Sequence, residues 1–420
     1  MSYQKPLAAI LLAALMAANP AAAQEGVPPP GATVQELLDL AKRQNAELAA
    51  MQQEAEAAEA RVQPAGALPD PALRVELQDI SRTNPNLLPG RVGATKYTLL
   101  QSLPLWGKRD LRREIAEADA SQAGGRRQIV EAELGARIKT AFAQYYQAVR
   151  TTALTGEILQ LMRDLERVAQ TRYATGLAPQ QDAIKAQTEQ TALRSELIAL
   201  QTEQHHARTR LNALLNRPPH APLADPRELR PLPAAGLDAA KLEARLRQSS
   251  PALAAQQARI AAAETGQRLV EKNRYPDLTV GISPIQRGSG WDTWEAMFEI
   301  NIPLQRETRR SQEREAAAMA AAARLRHDAL SSQLNGEFQE SVSAYETARE
   351  QERLFENSLL PQAELTFQSA LAGYRTGKVD FATLLDAQRQ IKKARLDQLK
   401  ARVEQEIRRA EIERLLGEEL

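Results

Sequence analysis

Side chains that could hold a metal ion or act as a nucleophile are few in this sequence, and they are scattered. The chain has four histidines, six methionines and no cysteine, so thiolate ligands, cysteine nucleophiles and disulfide bonds are excluded. His205 and His206 are adjacent in a segment with helical periodicity, and adjacent residues of a helix point to different faces. We therefore expect neither a metal site nor any other cofactor.

The usual signatures of catalysis and of nucleic-acid binding are missing from the sequence. It contains no glycine-rich phosphate loop, nucleophile elbow or zinc motif. Carboxylates are abundant, but nothing identifies a paired acid and base. The formal net charge is +1, so no overall basic field attracts nucleic acid. We expect a protein that is not an enzyme and has no nucleic-acid partner.

The first residues have the pattern of an export signal. Lys5 precedes a short apolar run at 7–18, and small residues at 21–23 offer a cleavage site. The run is too short to span a bilayer comfortably, although a retained anchor is the alternative. We predict a cleaved signal peptide over residues 1–23 and an exported protein, with no cysteine to carry a lipid anchor.

The elements that follow are duplicated. Arg172-Tyr173-Ala174-Thr175-Gly176 is echoed by Gly373-Tyr374-Arg375-Thr376-Gly377, about 200 residues later. Leu103-Pro104-Leu105 is echoed by Ile302-Pro303-Leu304 at nearly the same spacing. We predict two repeats joined by a proline-rich linker that cannot be helical. Their boundaries are 24–216 for the first repeat, 217–237 for the linker and 238–420 for the second repeat.

Each repeat has the same predicted order of helix, β-hairpin, long helix, tip and return helix. In the first strand Leu73, Val75 and Leu77 alternate with charged or polar residues. The long helix from 110 to 174 contains no proline. The fold class is therefore mainly α with a small β part. The predicted segments are a first helix at 33–63, hairpins at about 72–103 and 277–303, tips at 173–178 and 374–379, and a return helix at 179–215.

The apolar strand faces have no obvious partner within one chain. Hairpins pooled from several copies would form a closed transmembrane barrel, with the apolar side to lipid and the polar side to a water-filled lumen. A soluble β-sandwich is the alternative, but it does not explain why aromatic residues flank the strands where membrane interfaces would lie. These residues are Trp106 and Tyr275 at the helical end, and Tyr97, Trp291 and Trp294 at the loop end.

This layout resembles that of the TolC-like outer-membrane factors. The most specific features are the paired Tyr-x-Thr-Gly turns and the run Leu-Leu-Asp-Ala-Gln at 384–388. The segment Leu-Pro-Leu-Trp-Gly-Lys-Arg at 103–109 looks like that of the cation-efflux, CzcC/CusC-like branch. The resemblance implies a homotrimer with a twelve-stranded barrel in the outer membrane and a helical tunnel in the periplasm. It also implies a periplasmic adaptor and an inner-membrane RND-type transporter as partners.

The resemblance carries over two sets of residues. The first would contact the adaptor at the two tips, and it comprises Tyr173, Thr175, Gly176, Leu177, Tyr374, Thr376, Gly377 and Val379. The second would form a periplasmic gate, and it comprises Asp386, Asp182, Thr383 and Lys185. Lys185 occupies the place that corresponds to Asp386 in the other repeat, a departure from members with two acidic positions on one helical turn.

The implied function is passive conduction of heavy-metal cations out of the cell. Two alternatives stay open at this point. One is a TolC-like channel for drug efflux or type I protein secretion, since the lumen is too generic to exclude it. The other is a periplasmic coiled-coil adaptor or scaffold, although such proteins usually have one helical hairpin per chain.

Overall fold

The computed structural model describes residues 29–83, 85–231 and 236–420. The predicted signal peptide and residues 232–235 of the predicted linker lie outside these ranges. Most of the described chain is helical, and a single small sheet lies at one end of the long helices. None of the helices in these ranges combines the length and apolarity that crossing a membrane requires.

The first predicted helix is divided into three parts. They are α1 (Val34–Gln44), α2 (Ala46–Ala60) and α3 (Val62–Gly66). Asn45 leaves the helical conformation, with φ −74° and ψ 119°, and its side-chain oxygen accepts the Leu48 amide at 3.0 Å. The prediction of one continuous helix was wrong. The short polar side chain of Asn45 forms a local hydrogen bond with the backbone, and such bonds compete with the backbone hydrogen bonds of a helix.

Among the remaining helices, the longest form one pair in each repeat. α4 runs for 67 residues without a break, although it contains four glycines. At Gly125 the helix approaches α7 so closely that a β-carbon would lie 2.8 Å from Cβ of Ala255, which explains why glycine is tolerated there. The corresponding helix of the second repeat is interrupted by a π-helical turn, Phe355–Leu359. The helices are α4 (Lys108–Ala174), α5 (Gln180–Leu214), α6 (Ala239–Ser249), α7 (Pro251–Lys272), α8 (Arg306–Leu354), α9 (Leu360–Thr376) and α10 (Phe381–Leu416).

The two hairpins merge into one antiparallel sheet of order β1-β2-β3-β4. β2 of the first repeat pairs with β3 of the second, so that Leu99 lies opposite Ile282. This pairing brings together strands that are far apart in sequence, and it leaves β1 and β4 as edge strands. The strands are β1 (Ala72–Gln78), β2 (Ala94–Leu103), β3 (Leu278–Arg287) and β4 (Gly290–Ile300).

A second contact between the repeats lies where the sheet meets the helices. The buried Lys108 ammonium group donates to Oδ1 of Asp277 and to the Tyr275 carbonyl, both at 2.9 Å. Trp106 has a left-handed φ of 65°, which is strained for a bulky residue. Its Nε1 donates to the Pro276 carbonyl at 2.8 Å, and its ring stacks on Tyr275 at 5.1 Å. The tryptophan and lysine of the 103–109 segment therefore fix the junction of the two hairpins.

Buried charges anchor the described part of the linker to the last helix. Arg230 donates to Oε1 of Glu413 at 2.8 Å and to Glu406 at 2.5 Å, and Lys139 of α4 donates to Glu413 at 2.7 Å. Burial acts to raise the pKa of Glu413, but Arg230 and Lys139 outweigh it and lower that pKa. Removing one partner would leave a buried charge uncompensated, so this cluster holds the linker, α4 and α10 in one arrangement.

The linker also contacts α4 through a hydrogen bond from a tyrosine to a carboxylate. The Tyr145 hydroxyl donates to Oδ1 of Asp225 at 2.9 Å. Burial, together with this bond, raises the pKa of Tyr145 to about 12. The tyrosine therefore stays protonated, and remains a donor, at any pH at which the protein would work.

We expect Lys108→Met to destabilise the junction of the hairpins by about 1–3 kcal/mol, because it leaves the Asp277 carboxylate and the Tyr275 carbonyl without their shared donor. Thermal unfolding in mild detergent measures this loss. Lys96→Met is the matched control, since the pair of Lys96 with Glu295 is partly exposed and its loss should cost below about 1 kcal/mol. Equal stabilities for the two variants would contradict the role given to Lys108.

Candidate functional site

One face of the sheet is apolar and open to its surroundings. Phe298 is 73% exposed, Trp294 68% and Leu73 67%. These are large fractions for side chains that would normally be buried, and together they form a continuous patch across the strands. The apolar residues of this face include Leu73, Val75, Leu99, Ile282, Trp294, Phe298 and Ile300.

The opposite face of the sheet is polar. Lys96 lies opposite Glu76 in the β1–β2 register, and its Nζ donates to Glu295 of β4 at 2.6 Å. The hydroxyl groups of Thr98 and Ser283 share a buried hydrogen bond of 2.8 Å. The sheet thus has one apolar face and one polar face, as the strand alternation predicted.

The predicted interface aromatics lie at both ends of the sheet. Trp106 and Tyr275 stack at the helical end, whereas Tyr97 and Trp291 contact each other at the far end, with ring centroids 5.8 Å apart. From Trp291 to Ile300, β4 extends about 30 Å along its own axis. That length matches a tilted strand across a bilayer.

Both tips form the same compact reversal. Gly176 and Gly377 have left-handed φ values of 72° and 77°, which glycine adopts without strain. The hydroxyl of Thr175 donates to the carbonyls of Thr171 and Arg172 at 3.1 and 3.0 Å, and Thr376 makes the equivalent bonds to α9. The threonine hydroxyls therefore close the ends of their own helices, and they do not point freely outward.

The structure also ties the two tips to each other. The Tyr374 hydroxyl donates to Oδ2 of Asp182 at 3.0 Å. Burial, together with this bond, raises the pKa of Tyr374. The Arg172 guanidinium lies over the Tyr374 ring at 4.9 Å and donates both to the Tyr374 carbonyl and to the Leu177 carbonyl. Three residues from both repeats thus hold the ends of the helical hairpins together.

The predicted docking residues differ in their accessibility. Tyr173 is 49% exposed and Leu177 is 68% exposed, so both are available to a partner. Tyr374 is only 2% exposed, packed against Phe381 at 5.3 Å. The expectation that Tyr374 forms part of an exposed docking surface must therefore be corrected. Val379 is partly buried and packs against Gly373.

The predicted gate residues differ in burial and in their partners. Asp182 is 8% exposed and bonded to Tyr374, whereas Asp386 and Thr383 are exposed on α10. The Thr383 amide donates to Asp380 at the start of that helix. Asp182 thus has a role in joining the tips that was not predicted, and Asp386 is the acidic member of the set that remains accessible.

The sequence did not predict how close the histidines lie to one another. The ring centroids of His205 and His206 are 6.3 Å apart, and the linker brings His220 to 5.8 Å from His205. In the residues that the structure describes, no three histidine or acidic side chains are grouped so that they could hold a metal ion.

Reasoning from sequence missed the role of Arg172. It stands directly before the predicted tip, and its partners, Tyr374 and Leu177, come from both repeats. A basic residue in the last turn of a helix is usually explained by the helix dipole. Only the packing of the two hairpins reveals the further contact.

Paired helical hairpins joined to a sheet with one apolar and one polar face define a class of envelope channels built from several chains. The family model for outer membrane efflux proteins matches residues 37–217 and again residues 242–418. The chain therefore belongs to the outer membrane efflux protein family, and the resemblance to TolC-like factors is confirmed. It is an outer-membrane efflux channel protein, and it belongs to a family of passive channels, not enzymes.

Similar proteins agree with this assignment. The chain is 24% identical over 371 residues to the cobalt-zinc-cadmium resistance protein CzcC of Cupriavidus metallidurans, covering 87% of this chain and 85% of CzcC. Its fold matches the outer-membrane channel OprN with a TM-score of 0.77 at 21% identity, over 91% of this chain and 89% of OprN. CusC matches with a TM-score of 0.76 at 17% identity, over 92% of both chains.

We expect Tyr374→Phe to loosen the contact between the tips, because it removes the donor to the buried Asp182 carboxylate. The variant should show a larger mean conductance than the unchanged protein in planar bilayers. Tyr173→Phe is the matched control, since this equivalent tyrosine is exposed. If Tyr374→Phe conducts like the control, the tip contact does not restrict the channel.

Proposed function

We propose that this chain forms the exit duct of a three-part efflux pump for divalent metal cations. Three copies form the duct, which receives its cargo from a periplasmic adaptor and an inner-membrane RND-type transporter. The observation that carries the proposal is the two-faced sheet, because its exposed apolar side chains need lipid and its polar side chains need water. Residues 1–23 direct the chain to export and are removed.

The number of three copies is taken from the family resemblance, and the sheet supports an assembly of several chains. Four strands are too few to enclose a wide pore, and β1 and β4 leave two unpaired edges. Pairing β4 of one copy with β1 of the next closes the edges and yields twelve strands. Closure places Phe298 and Leu73 towards lipid, and it places Lys96 and Glu295 in the lumen.

The helices continue the duct into the periplasm. α4 and α5 end at the first tip, and α9 and α10 meet at the second. Tyr173 and Leu177 are the exposed residues through which the first tip contacts the adaptor, and the second tip offers the exposed Gly377. The contact of Tyr374 with Asp182 holds the tips together in the resting state, and Asp386 meets cations at the entrance.

The choice of metal cations as cargo rests on two features. The CzcC relative is described by its name as a cobalt-zinc-cadmium resistance protein. The segment at 103–109 resembles that of the cation-efflux branch of the family. The absence of a three-ligand group among the described residues fits a duct that passes ions onward, because conduction requires binding weak enough for release. Selection of the metal would then occur in the transporter.

Phe298→Arg should prevent assembly in the outer membrane. Arginine on the lipid side of a strand costs about 2–4 kcal/mol near the middle of the bilayer, whereas the lumen side tolerates charge. Glu299→Arg is the matched control, since it places the same side chain one residue further, on the opposite face. Light scattering of protein extracted in mild detergent should give a trimer for the control and no trimer for Phe298→Arg. A soluble monomer for the unchanged protein would refute the shared barrel.

Deletion of the gene should make its host several-fold more sensitive to zinc, cobalt or cadmium, because the pump loses its exit. Growth at graded metal concentrations measures the effect. The unchanged gene should restore tolerance, and Phe298→Arg should not. Sensitivity to organic drugs without any change in metal tolerance would reject the metal cargo and retain the channel.

A further inference from the structure

The two hairpins have very different loops at the end of the sheet that lies away from the helices. β3 and β4 are joined by a tight turn at residues 288–289, where Gly288 has a left-handed φ of 59°. β1 and β2 are joined by residues 79–93, a loop far longer than the reversal of two antiparallel strands requires. The first loop therefore has chain to spare for another contact.

The long loop folds back over the apolar face of the sheet. The Gly90 amide donates to Oγ1 of Thr95 at 3.0 Å, and Thr95 alternates onto the same face of β2 as Tyr97 and Leu99. A β-carbon at Gly90 would lie 2.9 Å from Nε2 of Gln286, which is opposite Thr95 in the register. Thr95 is completely buried as a result. The loop thus covers the far end of the apolar face and leaves the polar face open.

The covered end carries the aromatic pair that was predicted for a membrane interface. Gln286 lies opposite Trp291 in the β3–β4 register, and its Oε1 accepts the Tyr97 hydroxyl at 3.3 Å. Tyr97 and Trp291 contact each other. Aromatic side chains of this kind mark the level of lipid headgroups. In the proposed assembly the helices lie in the periplasm, so this level belongs to the outer leaflet.

Two adjacent leucines of the loop are exposed. Leu87 is 66% exposed and Leu88 is 56% exposed. Pro85 and Pro89 flank them, and each proline fixes one backbone dihedral angle, which limits how far the leucines could fold away. Exposed apolar surface is unfavourable in water, and hydrocarbon surroundings remove that cost. Beside the apolar face of the sheet, the acyl chains of lipid would supply such surroundings.

An arginine directly follows the glycine that holds the loop on the sheet. Arg91 is exposed, and within the described ranges no carboxylate pairs with its guanidinium. Arg287, at the same end of the sheet, is already paired with Asp292 at 3.1 Å. An arginine at a membrane surface can lay its apolar stem along lipid and offer parallel N–H groups to a phosphate. Arg91 is therefore free to bind an anionic headgroup.

We propose that residues 85–93 anchor the channel in the outer leaflet of the outer membrane. Leu87 and Leu88 enter the acyl region, and Arg91 binds a phosphate group of a lipid headgroup. The inference rests on the proposed function, because the apolar face of the sheet meets lipid only in the closed barrel. The contact of Gly90 with Thr95 places the loop on the lipid side of that barrel, away from its mouth.

Depth measurements with the full-length channel test the proposal. The chain has no cysteine, so Leu88→Cys provides a single position for a fluorescent label. The labelled channel is reconstituted in vesicles of phosphatidylcholine and lipid A that contain nitroxide-labelled lipids. Quenching should place the label about 5–10 Å inside the boundary of headgroups and acyl chains. Leu99→Cys on the apolar face is the quenched control, and Glu299→Cys on the polar face is the unquenched control.

The controls separate the anchor from the barrel. Quenching at Leu99→Cys with none at Leu88→Cys would overturn the anchor and leave the barrel intact. The lack of quenching at both positions would reject the barrel together with the anchor. A disulfide bond between the Leu88→Cys side chains of two copies would place the loops over the mouth of the channel, and so reject their contact with lipid.

Arg91→Gln tests the phosphate contact. The affinity of the assembled channel for lipid A, measured by native mass spectrometry, should fall about tenfold or more, as expected for a lost charge-assisted hydrogen bond. Dephosphorylated lipid A should bind the unchanged channel as weakly as lipid A binds the variant. Arg287→Gln is the matched control, because Asp292 already occupies this arginine, and it should leave the affinity unchanged. Full affinity in Arg91→Gln would show that Arg91 does not bind the phosphate.

Discussion

Pairing between β2 and β3 is the contact on which the rest of the structure depends. It joins two hairpins that are far apart in sequence into one sheet, and the Lys108–Asp277 contact fixes the helices to that sheet. The merged sheet keeps two open edges and one uncovered apolar face. A single chain in water cannot satisfy these requirements. In the proposed assembly, lipid covers the apolar face and further copies pair with the open edges.

Periodicity and proline positions were sufficient to predict most of the fold. The strands and α4 stand close to their predicted limits, because alternation and an unbroken proline-free run are local signals. The division of the first helix at Asn45 was missed, since one capping side chain outweighed a good helical pattern. The contacts of Arg172 and the approach of His220 to His205 could not be predicted, because they depend on how separate segments pack.

The two repeats have the same order of helices and strands, but equivalent side chains in the two repeats have different neighbours. Tyr173 is exposed, while its counterpart Tyr374 is buried beneath Arg172. Gln187 has a partner and Gln388 has none. Once two copies of a motif share one core, each position faces different neighbours. Equivalent residues in the sequence are therefore a poor guide to equivalent roles, and each side chain has to be judged by its own surroundings.

The unequal long helices have a mechanical consequence. α4 keeps one pattern of backbone hydrogen bonds over 67 residues, about 100 Å. Its counterpart changes that pattern at the π-helical turn Phe355–Leu359. We therefore expect a twist applied at the sheet to reach the first tip more fully than the second, because the second helix can deform at its π-helical turn.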